Sequence, residues 1–183
     1  MTRIISGSAR GRTLKVPASG TRPTSDRVRE SIFNSLQHRL GNWHELRVLD
    51  LYAGSGAFAL EALSRGAEAA TAVEKAASAV TIIKANAATI GMPLTVVTSS
   101  VESFVARGTA TAFDVVFIDP PYELASSAIE ELLASLIEHG FVAEDSVIVI
   151  ERSARSEPIS LPGPLTEADL RAHGETTVLT AVW

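Results

Sequence analysis

Four consecutive residues, Asp119-Pro120-Pro121-Tyr122, bring together groups suited to handling a weakly nucleophilic amine. The exocyclic amine of adenine or guanine is a poor nucleophile because its lone pair is delocalised into the ring. The Asp119 carboxylate can accept a hydrogen bond from one amine hydrogen, and the Pro120 carbonyl can accept one from the other. Held in this way, the nitrogen presents its lone pair outward. Proline fixes φ and carries no N–H, so Pro120 and Pro121 keep the loop stiff. Tyr122 offers a face on which a base turned out of its helix can stack. Such chemistry works by alignment and electrostatics, with no covalent intermediate. A proline-rich loop that merely ends a buried strand would look the same in isolation.

A second constellation is Asp50-Leu-Tyr52-Ala53-Gly54-Ser-Gly56-Ala-Phe-Ala59. Two glycines one residue apart allow a sharp turn and close approach of a ligand. A helix starting after them would offer unpaired N–H groups. Dinucleotide enzymes share this G-x-G, with a third small residue where Ala59 stands. Asp50 separates the ligands: a carboxylate there repels a pyrophosphate and suits a cationic ligand such as S-adenosylmethionine, which carries an ammonium and a sulfonium. Glu74, 24 residues after Asp50, is placed to accept both ribose hydroxyls of an adenosine. Ser99-Ser100-Val101-Glu102 can face the adenine edge, although a serine there can equally be a helix cap.

The hydropathy pattern predicts elements that would position these residues. Strands are expected at 47–52, 69–74, 94–98, 113–118 and 145–150, with helices at 56–65, 76–90, 101–107 and 123–139 between them. Glycines 66, 91 and 140 stop three of those helices. The strands are apolar on both faces, as in a parallel sheet covered by helices on both sides. Such a sheet binds ligands at the carboxyl ends of its strands, and both constellations fall there. If the first and fourth of these strands are neighbours, the two loops lie side by side. Residues 166–172 and 176–182 suggest a terminal strand pair, the second more clearly. Upstream, 3–6 and 12–16 read as a small hairpin turned at Gly7–Gly11. Ser25 or Asp26 can cap a helix carrying Val28, Ile32, Phe33, Leu36 and Leu40, ended by Gly41.

With 183 residues and 46% apolar composition, the chain suits one domain with a small appendage. There are no cysteines, which excludes disulfides and thiolate metal sites. The four histidines lack metal-ligand spacing, and no metal is expected. The N-terminus has no long apolar run and no segment reaches membrane-span length, so a cytoplasmic protein is expected. The net charge of −5 hides an asymmetry: residues 1–29 carry +6 and the rest −11. The basic groups are Arg3, Arg10, Arg12, Lys15, Arg22, Arg27 and Arg29. They predict a phosphate-binding end, since such contacts depend on local charge; a solvated basic arm is the plain alternative. Trp43 and Trp183 are expected to pack in the core.

At these residues the sequence resembles a known family. Asp50-Leu-Tyr-Ala-Gly-Ser-Gly resembles the cofactor loop of Rossmann-like methyltransferases, and Asp119-Pro-Pro-Tyr resembles the amino-methyltransferase motif. Arg22-Pro-Thr-Ser-Asp-Arg-Val-Arg-Glu-Ser-Ile-Phe-Asn34, with Arg3-Ile-Ile-Ser-Gly and Gly11-Arg-Thr-Leu-Lys-Val-Pro, resembles the RsmD-type 16S ribosomal RNA guanine-N2 methyltransferases. The resemblance implies an α/β fold with a seven-stranded, mostly parallel sheet, a terminal antiparallel pair and an N-terminal β-hairpin. It divides the chain into a basic hairpin extension, 1–20, and a methyltransferase domain, 21–183. It implies transfer of one methyl from S-adenosylmethionine to N2 of guanine 966 in 16S rRNA, by a monomer acting on an assembled or assembling 30S particle. Thr24 would cover the cofactor. Asp50, Tyr52, Ala53, Gly54 and Gly56 would hold its methionine end, Glu74 and Lys75 the ribose, and Ser100 and Val101 the adenine. Asp119 to Tyr122 would be catalytic, and the seven basic residues would hold RNA.

Three other functions are compatible with these residues: a DNA adenine-N6 methyltransferase using the same motif, a cofactor-binding ribosome-assembly module without turnover, and a nicotinamide oxidoreductase. The first is disfavoured by a chain too short for a separate sequence-reading domain.

Overall fold

Ser25 accepts a hydrogen bond from the Val28 N–H at 3.2 Å and so caps α1 (Asp26–Leu40), which Gly41 ends at φ +77°. A computed structural model describes residues 2–17 and 25–183, so Arg22 and Thr24 lie outside the described residues. After α1 come β3 (Arg47–Leu51), α2 (Ala57–Ser64), β4 (Ala69–Glu74), α3 (Ala77–Ile90), β5 (Leu94–Thr98) and α4 (Val101–Val105). The chain continues through β6 (Val115–Ile118), α5 (Ser126–Glu138), β7 (Val147–Ser153), β8 (Thr166–His173) and β9 (Thr176–Val182). β1 (Thr2–Arg3) and β2 (Thr13–Leu14) pair antiparallel at the N-terminus.

The other strands form one seven-stranded sheet in the order β5-β4-β3-β6-β7-β9-β8. The first five are parallel; β9 runs antiparallel between β7 and β8. From β3 the chain winds first toward β4 and β5, then returns to β6 on the other side. Strand order therefore reverses between β3 and β6, the two strands that precede Tyr52–Gly56 and Asp119–Tyr122.

Each sheet face buries its own cluster. On one face Phe33 of α1 and Phe58 of α2 meet Phe117 of β6 at ring centroid distances of 5.4 and 4.7 Å, and Trp43 packs on Phe33 at 5.2 Å. Burying each of these rings stabilises the fold by about 1.5–3 kcal/mol. On the other face Ile129, Leu133 and Leu136 of α5 cover Val116, Ile118 and Ile150, with Trp183 packed at the margin. Of the element ends that differ from expectation, two bear on the site. α5 starts at Ser126, three residues later than 123, because the Leu124 N–H closes a turn onto the Pro121 carbonyl at 3.0 Å. β7 runs on past 150 to Ser153 because β9 continues to pair with it, Glu151 opposite Val178.

The hairpin is fastened to the rest of the fold. Ile4 and Leu14 pack with Leu60, Ala87 and Ile90 of α2 and α3. The fully buried Glu61 carboxylate accepts from the Ile5 and Ser6 N–H groups at 2.6 and 3.0 Å. Gly7, at φ +83°, lies so close to α2 that a Cβ there would stand 1.8 Å from the Ser64 carbonyl oxygen. Arg29 requires a correction. Expected on an RNA-facing surface, it is 1% exposed. Its guanidinium donates to Thr2 Oγ1 at 2.8 Å, to the Arg3 carbonyl and to Asp26 at 3.0 Å, and so ties the hairpin to α1.

Candidate active site

The loop after β3 turns through three positive φ angles: Tyr52 at +61°, Gly54 at +55° and Gly56 at +76°. A side chain at Gly56 would press on Ile83 at 3.0 Å. Tyr52 pays for its position in the left-handed region, where bulky residues are rare. The loop is held from below: Ala53 N–H donates to the Val73 carbonyl at 3.1 Å, and Gly56 N–H to the Ala53 carbonyl at 2.7 Å. Glu74, at the end of β4, accepts from the Gly54 N–H at 3.1 Å and the Ala76 N–H at 2.8 Å.

Above this loop lies a cleft of about 220 Å³. Of the expected cofactor contacts it is lined by Tyr52, Gly54, Glu74, Lys75, Ser100 and Val101. Ser100 also caps α4, accepting from the Ser103 N–H at 3.1 Å. Asp50, Ala53 and Gly56, also expected as cofactor contacts, are buried and are not among the described lining residues. Asp50 is 1% exposed, and its carboxylate accepts from the Ala59 N–H in the first turn of α2 at 3.1 Å. Burial pushes the Asp50 carboxyl well above its usual range; the Ala59 N–H opposes this, and the charges of Asp119 and Glu74 add to it. Glu102 belongs to the segment expected at the adenine edge. It lines the cleft, and the Tyr52 hydroxyl lies 3.5 Å from it. Burial and the Glu102 charge push the Tyr52 phenol up to about 12.

Asp119 and Pro121 line the same cleft, while Tyr122, 46% exposed, lines a second cavity of about 460 Å³. Pro120 is buried between them. The four-residue motif thus forms the partition between two hollows at the carboxyl edge of the sheet. Arg152 of β7 braces it, its guanidinium donating to the Leu124 carbonyl at 2.9 Å. Glu151, 4% exposed, lines the second cavity with Ser25 and Val28 of α1. Neither Glu151 nor Arg152 was expected at the site. Carboxylates dominate the first cleft: Glu74, Glu102 and Asp119 face it, with Lys75 the lone cation among its described lining residues. Such a field concentrates cations.

The family model described as conserved hypothetical protein 95 matches residues 2–182. The Ribosomal RNA small subunit methyltransferase D of Escherichia coli strain K12 is 39% identical over 162 residues, covering 87% of this chain and 79% of that protein. The chain belongs to the family of ribosomal RNA small subunit methyltransferase D. Another relative, "Putative rRNA methyltransferase YlbH" of Bacillus subtilis, is 36% identical over 181 residues, 96% of each chain. A solved Escherichia coli structure, "Putative methyltransferase yhhF", superposes with a TM-score of 0.86 at 35% identity, covering 98% of this chain and 96% of that one.

In this member of the methyltransferase D family, Arg3, Arg10, Arg12, Lys15 and Arg27 are exposed. Arg3 lies 3.5 Å from Asp26, and Arg12 reaches the Thr89 carbonyl at 3.4 Å. Among the described residues no group of acids and histidines could hold a metal, and no helix is long and apolar enough to cross a membrane.

Proposed function

We propose that the protein transfers a methyl group from S-adenosylmethionine to the exocyclic N2 amine of guanine 966 in the 16S rRNA of the small ribosomal subunit. The observation that carries this reading is the Asp119-Pro120-Pro121-Tyr122 partition, with a carboxylate-lined cleft on one side and a cavity of about 460 Å³, roomy enough for a base, on the other.

The first cleft fits the cofactor. Its three carboxylates complement the ammonium and sulfonium of a cofactor whose net charge is positive, and Gly54 leaves the backbone open there, with nothing nearer than the Tyr52 carbonyl oxygen at 3.9 Å from a Cβ. Tyr52 and Gly54 would hold the methionine end, Glu74 and Lys75 the ribose, and Ser100, Val101 and Glu102 the adenine. Asp50 would act from beneath, as a buried charge that a bound cation stabilises. S-adenosylmethionine, when bound, supplies a methyl carbon on a sulfonium, which leaves as a neutral thioether. The chain's own contribution is positional. The Asp119 carboxylate and the Pro120 carbonyl accept the two amine hydrogens and turn the nitrogen lone pair toward the cleft. Asp119 then stands ready to take the proton that the methylated amine releases. Tyr122 covers the base, and Arg152 keeps the loop from moving. Exposed Arg3, Arg10, Arg12, Lys15 and Arg27 supply phosphate contacts, and the N-terminal extension holds RNA.

The test is incubation with methyl-labelled cofactor and undermodified small subunits, followed by mapping of the modified nucleotide. One label on guanine N2 at the expected position supports the reading. Label on an adenine, or none, contradicts it.

A further inference from the structure

The cavity beside Tyr122 contains a buried acid that methyl transfer itself does not use. Ile118 of β6 and Ile150 of β7 are register partners. Asp119 and Glu151 therefore leave neighbouring parallel strands at the same level, and such strands lie about 4.8 Å apart. Glu151 is 4% exposed, yet it lines the cavity of about 460 Å³ together with Tyr122. Val28 contributes an apolar wall, and Ser25 and Ser153 contribute hydroxyls. Arg155, His173, Glu175 and Thr176 complete a largely polar lining, and placed polar groups are what fix the orientation of a ligand in a pocket.

We infer that this cavity receives the target base and that Glu151 selects guanine by accepting a hydrogen bond from its N1–H. The inference rests on the methyl-transfer reading above. Guanine carries an N1–H donor directly beside its N2 amine, so its edge offers donors to two adjacent acceptors. Asp119 and the Pro120 carbonyl hold the amine, and Glu151, one strand away, meets N1. An ionised carboxylate only accepts. Adenine presents a bare N1 lone pair next to its N6 amine and would face Glu151 with acceptor against acceptor. Guanine thus meets each acceptor with a donor, whereas adenine sets its N1 lone pair against the Glu151 carboxylate. Sites that hydrogen-bond one edge reject an analogue lacking the donor far more strongly than apolar pockets reject a missing methylene.

The test uses small subunits reconstituted with RNA carrying either guanine or 2-aminopurine at the target position. 2-Aminopurine keeps the N2 amine but has an acceptor at N1. The wild-type protein should methylate the guanine substrate with a kcat/KM at least about 100-fold higher. Glu151→Gln should lose activity on guanine and narrow that ratio at least about tenfold, because its amide can donate to the N1 of 2-aminopurine. Unchanged affinity for S-adenosylmethionine would show that the variant is folded. Wild-type protein that methylates both RNAs alike overturns the base-site assignment, whatever the variant does. A folded Glu151→Gln with the wild-type ratio also overturns it. Wild-type protein that labels neither RNA overturns the methyl-transfer reading, and the base site falls with it.

Discussion

Leu51 and Ile118 face each other as register partners on adjacent parallel strands. The residues that follow them, Tyr52 and Asp119, enter the same cleft from neighbouring strand ends. Cofactor loop and amine-holding motif are thereby fixed to one rigid sheet edge at the point where strand order reverses. Positioning of reacting groups on such a scaffold can supply a large part of a catalytic barrier reduction.

Asp50 should make cofactor binding pH-dependent. Its ordinary value is 3.8, and burial lifts it well above that. Between the two values the folded protein keeps a proton that the unfolded chain has released, so stability falls as pH rises through that window. A bound cation favours the ionised form. Affinity for S-adenosylmethionine should therefore rise with pH up to the folded value, by at most about one decade per pH unit. Calorimetric titration across pH checks this, and Asp50→Asn should flatten the profile. The same slope in the variant would remove Asp50 from the linkage.

Gly7→Ala should destabilise the fold by at least about 2 kcal/mol, since the added methyl collides with the Ser64 carbonyl and the φ of +83° is costly for alanine. Urea denaturation measures it. A midpoint equal to wild type would mean that the hairpin does not depend on this contact.

The basic end is better tested by neutralisation than by truncation. Removing residues 1–20 would uncover Leu60 and strip Glu61 of two partners. Replacing Arg10, Arg12 and Lys15 together by alanine keeps the hairpin's core. RNA affinity should drop, and the slope of log K against log salt should flatten by roughly 2–3, while cofactor affinity stays. Equal slopes in filter-binding assays would take the hairpin off the RNA surface.

Arg152→Met should lower kcat about tenfold with little change in cofactor affinity, because the Leu124 carbonyl loses its donor and the loop bearing Tyr122 slackens. Single-turnover rates separate the two effects. A fall in cofactor affinity with an unchanged rate would place Arg152's influence in the other cleft.

Much of the fold was legible because local rules were decisive. Ser25 and Gly41 bracket α1, Gly91 ends α3 in the left-handed conformation, and Leu94–Thr98 reads directly as a strand. The seven-stranded sheet and the family followed from motif residues. What stayed hidden depends on tertiary context. β8 is a polar edge strand whose hydrogen bonds come from β9, so its own residues signal little. Glu151 and Arg152 look like the end of a strand that in fact continues, since only the antiparallel pairing of β9 carries β7 further. Arg29 looked like surface charge, yet it precedes Ile32, Phe33 and Leu36 by three, four and seven residues, which puts it on the buried stripe of α1. Asp50 and Gly56 were recognised as parts of the cofactor loop, but no pattern in the sequence says that they support it from behind.

The most direct measurement pairs methylation rate with cofactor affinity in Asp119→Ala. The rate should fall by about 100- to 1,000-fold, with the dissociation constant for S-adenosylmethionine within a few-fold of wild type. Methylation persisting at the wild-type rate in that variant would contradict the assignment of amine-holding to the partition between the two hollows.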